Sequence, residues 1–166
     1  MKLAVDVDYR EDKAVAAGLL FSDWQSCEAE QKGTVSLSEF RKYEPGQFYK
    51  RELPCILELL KGMDPLPDTI LIDGYVHLGE DQKPGLGAYL YQALEGKCAV
   101  IGVAKSRFRG TPDGAGLTRR GSRRPLYVTS LGIPQARAKR FIADMCGDSR
   151  IPLLLKEVDQ LCRGEA

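Results

Sequence analysis

Apolar and polar residues alternate from Lys2 to Tyr9: Leu3, Val5 and Val7 fall on one side, Ala4, Asp6 and Asp8 on the other, the period of a β-strand. A charged turn, Arg10 to Lys13, leads into a second apolar strand, Ala14 to Phe21, and the two predict an antiparallel hairpin. Cys27 to Leu37, with Gly33-Thr34-Val35-Ser36, is a weaker third strand. From Gln47 to Met63 the spacing of Phe48, Leu53, Ile56, Leu57, Leu59 and Leu60 predicts a helix that starts at, or kinks at, Pro54. Asp64 to Asp68 breaks the chain. Thr69-Ile70-Leu71-Ile72-Asp73 is then apolar on both faces, which predicts a central strand. A helix over Leu86 to Leu94, strands over Cys98 to Ala104 and Leu126 to Ser130, and helices over Ile133 to Cys146 and Pro152 to Cys162 complete the pattern. The fold class is α/β, one domain over residues 1–166, with an antiparallel hairpin joined to parallel strands in a mixed sheet flanked by helices.

Composition adds exclusions. At 43% hydrophobic and 28% charged residues the chain is neither disordered nor fibrous. No apolar run reaches the ~18 residues of a membrane span. Asp6 and Asp8 come too early for a secretory leader, so a cytoplasmic protein without membrane association is expected. Five widely spaced cysteines, without a CxxC and with His77 as the only histidine, predict buried apolar cysteines rather than a disulfide framework or a zinc site. One histidine also leaves little from which to build a Ser-His-Asp or Cys-His enzyme.

Charge matters locally. The net charge is +1, but Lys105, Arg107, Arg109, Arg119, Arg120, Arg123 and Arg124 face the single acid Asp113 over twenty residues. This segment suits a polyanion, or is a solvated arginine-rich loop.

The acids fall at chemically useful places. Asp6 lies inside a strand between valines, where an unneutralised carboxylate is expensive. Asp73 ends the central strand before Gly74, at the end where α/β sheets carry ligands, although Asp-Gly also suits a plain turn. If the two strands are neighbours, Asp6 and Asp73 converge, and Glu52 reaches them from a covering helix. Such carboxylates suit Mg²⁺ and phosphodiester hydrolysis. Lys105, emerging from a buried strand, suits a scissile phosphate, or is an ordinary strand-ending lysine.

Val5-Asp6-Val7-Asp8-Tyr9, Tyr43-Glu44-Pro45-Gly46 through Arg51-Glu52-Leu53-Pro54, Ile72-Asp73-Gly74, Ile101-Gly102-Val103-Ala104-Lys105-Ser106, Pro125-Leu126-Tyr127-Val128-Thr129 and Arg150-Ile151-Pro152 through Asp159 together resemble the endonuclease V family, in the family's order. The resemblance implies a ribonuclease H-like fold and an Mg²⁺-dependent endonuclease (Mn²⁺ substituting) that hydrolyses a phosphodiester near inosine in nucleic acid, in DNA repair. It implies Asp6, Asp73 and Glu52 as metal ligands, Lys105 at the scissile phosphate, Tyr43 as a wedge, and Asp159 near the metal. Glycine loops at Gly74–Gly79 and Gly85–Gly87 become candidates for a base pocket, Arg107, Arg119 and Arg120 for the backbone, with Asp8 and His77 as further candidates. His77 stands two residues before the family's histidine position, which here is Gly79. The partner expected is DNA rather than RNA, bound by a monomer. A related nuclease for structured DNA or RNA, and a binder that does not cut, are the alternatives.

Overall fold

A computed structural model describes residues 1–38 and 48–165. Seven strands form one sheet in the order β3-β2-β1-β4-β7-β9-β8. These are β1 (Lys2–Tyr9), β2 (Ala14–Phe21), β3 (Gln31–Leu37), β4 (Thr69–Asp73), β7 (Ala99–Ala104), β8 (Gly116–Leu117) and β9 (Leu126–Leu131). A separate two-stranded ribbon joins β5 (His77–Leu78) to β6 (Lys83–Pro84). The helices are α1 (Phe48–Leu60), α2 (Leu86–Ala93), α3 (Gln135–Asp144) and α4 (Leu153–Cys162).

The hairpin forms as the alternation predicts, with Lys2 opposite Phe21 and Tyr9 opposite Ala14. β1 then pairs in parallel with β4, β4 in parallel with β7, and β7 antiparallel with β9. Central strands are apolar on both faces because both are covered. Leu3, Val5, Ile70, Ile72 and Val100 pack in one buried cluster with Cys55, Ile56 and Leu59 of α1 and Leu90 of α2. Ala4, Leu71, Ile101 and Val103 pack in the other with Ile142 of α3 and Leu154 and Val158 of α4. Each fully buried Leu or Ile there stabilises the fold by about 1.5–3 kcal/mol.

Close packing also explains a motif glycine. A Cβ on Gly102 would lie 2.5 Å from the Gly74 carbonyl oxygen and 3.0 Å from the Val76 nitrogen, so the Ile101–Ser106 segment admits only glycine at that point.

Two expectations change and a third narrows. Cys27 and Cys146 form a disulfide, so only Cys55, Cys98 and Cys162 are the buried free cysteines expected. The partners are 119 residues apart, and only the seating of the loop after β2 against the end of α3, where Trp24 stacks on Phe141 at 4.6 Å, brings them together. The third strand starts at Gln31 rather than Cys27, because residues before it turn: the Gln25 N–H donates to Asp23 Oδ1 at 2.8 Å and the Ser26 N–H to the Asp23 carbonyl at 3.0 Å. Finally, of the two alternatives at Pro54 the helix start is ruled out: α1 runs from Phe48 through Pro54, held by the apolar stripe on either side. Among the described residues no helix is long and apolar enough to cross a membrane.

Candidate active site and nucleic-acid interface

The ladder between β1 and β4 pairs Lys2 with Thr69, Leu3 with Ile70 and Ala4 with Leu71, and stops there. Continued two residues further, the same register sets Asp6 level with Asp73. The adjacency that the acid pair requires is therefore present. A small gap at this end is walled by Val5, Asp6, Ile72, Asp73, Val103, Lys105 and Val158.

Two helices deliver further carboxylates. Glu52 sits one turn before Ile56, on the stripe of α1 that faces the sheet, and approaches from the Val5 side. Asp159 follows Val158 on the buried stripe of α4 and approaches from the Ala4 side, which Asp6 shares. One ligand atom each from Asp6, Asp159 and Cys162 lies within 4.8 Å of the others.

Crowding of like charge shows in the acidities. Burial, then the Asp73 charge, then Asp159 push Asp6 up to about 7, against the Val7 N–H that donates to its carboxylate at 2.9 Å. Burial, then Asp6 and Asp73 push Glu52 up to about 8. Asp73 is also raised, by the surrounding protein first and by Asp159, while Lys105 and Arg163 pull it down. Its carboxylate opens to solvent, with 45% of the side-chain surface exposed, and Lys105 Nζ approaches it at 3.8 Å. Burial and the carboxylates Asp6, Asp159 and Asp8 push the Cys162 thiol up to about 12. Oxygen donors that raise one another and outnumber their cations fit a hard divalent ion.

A cleft of about 800 Å³ opens beside this cluster, within the range of ligand pockets. Its walls include Tyr49, Glu52, Asp73, Gly74, Gly85, Arg107, Phe108 and Arg109. The Tyr75 hydroxyl shapes it, donating to the Ser106 carbonyl at 2.7 Å and accepting from the Phe108 N–H at 3.0 Å.

Other sequence candidates land differently. Tyr43 lies outside the described residues. Asp8 pairs with Arg10 at 3.3 Å and, like Glu52 and Asp73, is not in the close group formed by Asp6, Asp159 and Cys162. His77 pairs with Pro84 in the ribbon and does not line the cleft. Three glycine amides of these loops are engaged within the fold: Gly74 N–H donates to Val103, Gly85 N–H to Val76 and Gly87 N–H to Tyr75. Those glycines therefore shape the cleft by close backbone approach rather than by offering free donors.

Arg119 is a correction. It is only 2% exposed, and its guanidinium donates to the carbonyls of Met145 (2.6 Å), Ser149 (2.7 Å), Arg150 (3.2 Å) and Gly147 (3.5 Å). The chain buries it to hold the connector between α3 and α4, so it is no surface contact. Arg120 is exposed but also donates to Gly147, at 3.0 Å, and Arg107 is tied to Thr111 and Asp113. Arg109 stays on the cleft wall, and Arg123 and Arg124 stay exposed. Cys162 and Arg163 were not foreseen, although Cys162 stands at helical spacing, three residues after Asp159.

The Endonuclease V family model matches residues 3–157. The Endonuclease V of Thermococcus kodakarensis is 34% identical over 113 residues, 68% of this chain and 54% of that protein. The match thus spans about half the length of that relative. The Endonuclease V of Pyrococcus abyssi is 30% identical over 162 residues, covering 98% of this chain and 78% of its own. The crystal structure of Ciona intestinalis endonuclease V with a 24mer DNA containing an inosine followed by a ribo-adenosine is similar in fold, with a TM-score of 0.77 at 20% identity over 98% of this chain and 84% of that one. The mixed sheet with helices on both faces is thus the ribonuclease H-like arrangement expected.

Proposed function

The chain belongs to the endonuclease V family, and from that premise we propose that it is an Mg²⁺-dependent endonuclease, active with Mn²⁺ too, that hydrolyses a phosphodiester near inosine in DNA as a repair step. The single observation carrying this reading is the convergence of Asp6, Glu52, Asp73 and Asp159, from two strands and two helices, beside Lys105 and an open cleft.

Asp6, Asp73 and Glu52 would hold the cation, with Asp159 alongside. A bound Mg²⁺ supplies Lewis acidity at the scissile phosphate and acidifies water. Lys105, half exposed and 3.8 Å from Asp73, holds the phosphate and stabilises the charge that develops on it. Asp159 orients Asp6 through their carboxylate contact. The cleft takes the base turned out of the strand, with Phe108 and Tyr49 as apolar walls and Arg109 toward the backbone.

Labelled inosine-containing and undamaged DNA, duplex and single-stranded, incubated with Mg²⁺ or Mn²⁺ tests the reading. Cleavage is expected only in the inosine strand, and to vanish with EDTA and in Asp73→Ala. Cutting of undamaged strands alone would replace inosine with another substrate, a second reading favoured by Glu80 and Asp81 on the cleft wall and by the absence of His77 from it. Binding without cutting would make the protein a non-catalytic relative.

A further inference from the structure

Arg150 lines neither the gap nor the cleft, yet its guanidinium is bonded at three points. Nη2 donates to the Lys105 carbonyl and, at 2.9 Å, to the Pro125 carbonyl, while Nε donates to the Arg124 carbonyl at 3.0 Å. These acceptors have a common origin. The ladder between β7 and β9 ends at Ala104 and Tyr127, so the carbonyl of Lys105 leaves the sheet, and Pro125 has no N–H with which to continue the pairing. Arg150 closes the open end of the two strands, and a planar fork of donors does this better than a point charge.

The arginine is itself held firmly. Its own carbonyl accepts from Arg119. Its connector is pinned by the remaining Arg119 bonds, by the Cys27–Cys146 disulfide and by Lys156 Nζ, which donates to Ser149 Oγ at 2.7 Å. A rigid platform thus grips the backbone of the residue whose ammonium lies 3.8 Å from Asp73.

We propose that Arg150 is a positioning residue for Lys105: by fixing the backbone where β7 ends, it sets the place of the Lys105 ammonium beside Asp73. This rests on the reading of Lys105 as the group at the scissile phosphate. Small displacements of such a group are costly in rate, and partners that orient a reacting group typically contribute about 10–100-fold.

A double-mutant cycle tests it, using single-turnover cleavage of an inosine strand with Mn²⁺, and strand binding measured with metal withheld. Arg150→Ala is expected to slow cleavage by about 10–100-fold with binding nearly unchanged, and free guanidinium in solution to restore part of the rate. In a Lys105→Ala background the same change should cost less than about twofold, since the residue through which it acts is gone. Arg150→Lys, which keeps the charge but not the fork, is slow as well and serves if the alanine variant does not fold. Lys61→Ala, which removes an exposed cation paired with Glu58 at the far end of α1, leaves the rate unchanged, and a loss there as large as that of Arg150→Ala would remove the positioning role. Losses that multiply with Lys105→Ala, or unaltered rates in both Arg150 variants while the wild type cuts, remove the positioning role alone. A wild type that cuts no strand overturns the reading of the site and this role with it.

Discussion

The acidic cluster at the end of β1 and β4 and the basic stretch from Lys105 to Arg124 are both concentrations of one charge, and the fold treats them oppositely. The acids come from four distant elements and face one another with fewer cations than carboxylates. Arg163 pairs with Asp159 at 3.1 Å, Lys105 and Arg163 lower Asp73, and Arg51 lowers Glu52, while burial and its neighbours raise Asp6. The cations are consecutive in sequence, yet much of their hydrogen bonding is satisfied inside the protein. Arg119 caps four carbonyls, Arg120 one, and Arg107 bonds within its own loop. A charge left uncompensated by the fold is available to a ligand; a charge already bonded is structure.

The sharpest break in that contrast is Asp73→Ala, expected to reduce cleavage by more than the roughly 10²–10³-fold that losing one preorganised group costs. Thermal unfolding would show the fold intact, because the carboxylate is partly exposed and repelled by its neighbours. Survival of cleavage would remove the acidic cluster from the reaction.

Arg119→Ala tests the other side. It leaves buried carbonyls without a donor and should destabilise by about 2–4 kcal/mol in chemical denaturation, by the scale of charged hydrogen bonds. A loss of nucleic-acid binding at unchanged stability would return Arg119 to the interface.

Metal-free stability should depend on pH with a definite sign. Asp6 and Glu52 rise in the folded state from 3.8 and 4.5 to about 7 and about 8, so the folded chain holds more protons than the unfolded one across that window. These two groups therefore make stability fall as pH rises from about 4 to about 8 and add no further change above that window. Unfolding midpoints of EDTA-treated protein check this. Asp6→Asn should flatten the fall, and added Mg²⁺ should raise the midpoint at pH 8 more than at pH 5, because the ligands must be ionised.

The smallest effects concern the exposed cations. Arg123→Ala and Arg124→Ala should each reduce the salt slope of DNA binding by about 1 if their side chains meet phosphates. Arg120→Ala, which gives up one surface hydrogen bond to the Gly147 carbonyl, should destabilise by about 0.5–1.5 kcal/mol in chemical denaturation.

Alternation and apolar runs were enough to read the hairpin, the central strands, the α4 stripe and the fold class, since period and β-branching are local properties. The hairpin and central strands appear with nearly their expected limits, while the third strand begins four residues later than read. Asp6, Asp73, Glu52 and Lys105 were legible because each breaks or ends such a pattern. What tertiary structure alone decided is pairing. Which cysteines meet across 119 residues, which arginine is buried, which loop amides are already bonded and which carbonyl Arg150 grips all depend on contacts between segments far apart in the chain. A residue's type fixes the bonds it can make, but only the packing of its surroundings fixes which of them remain for a partner.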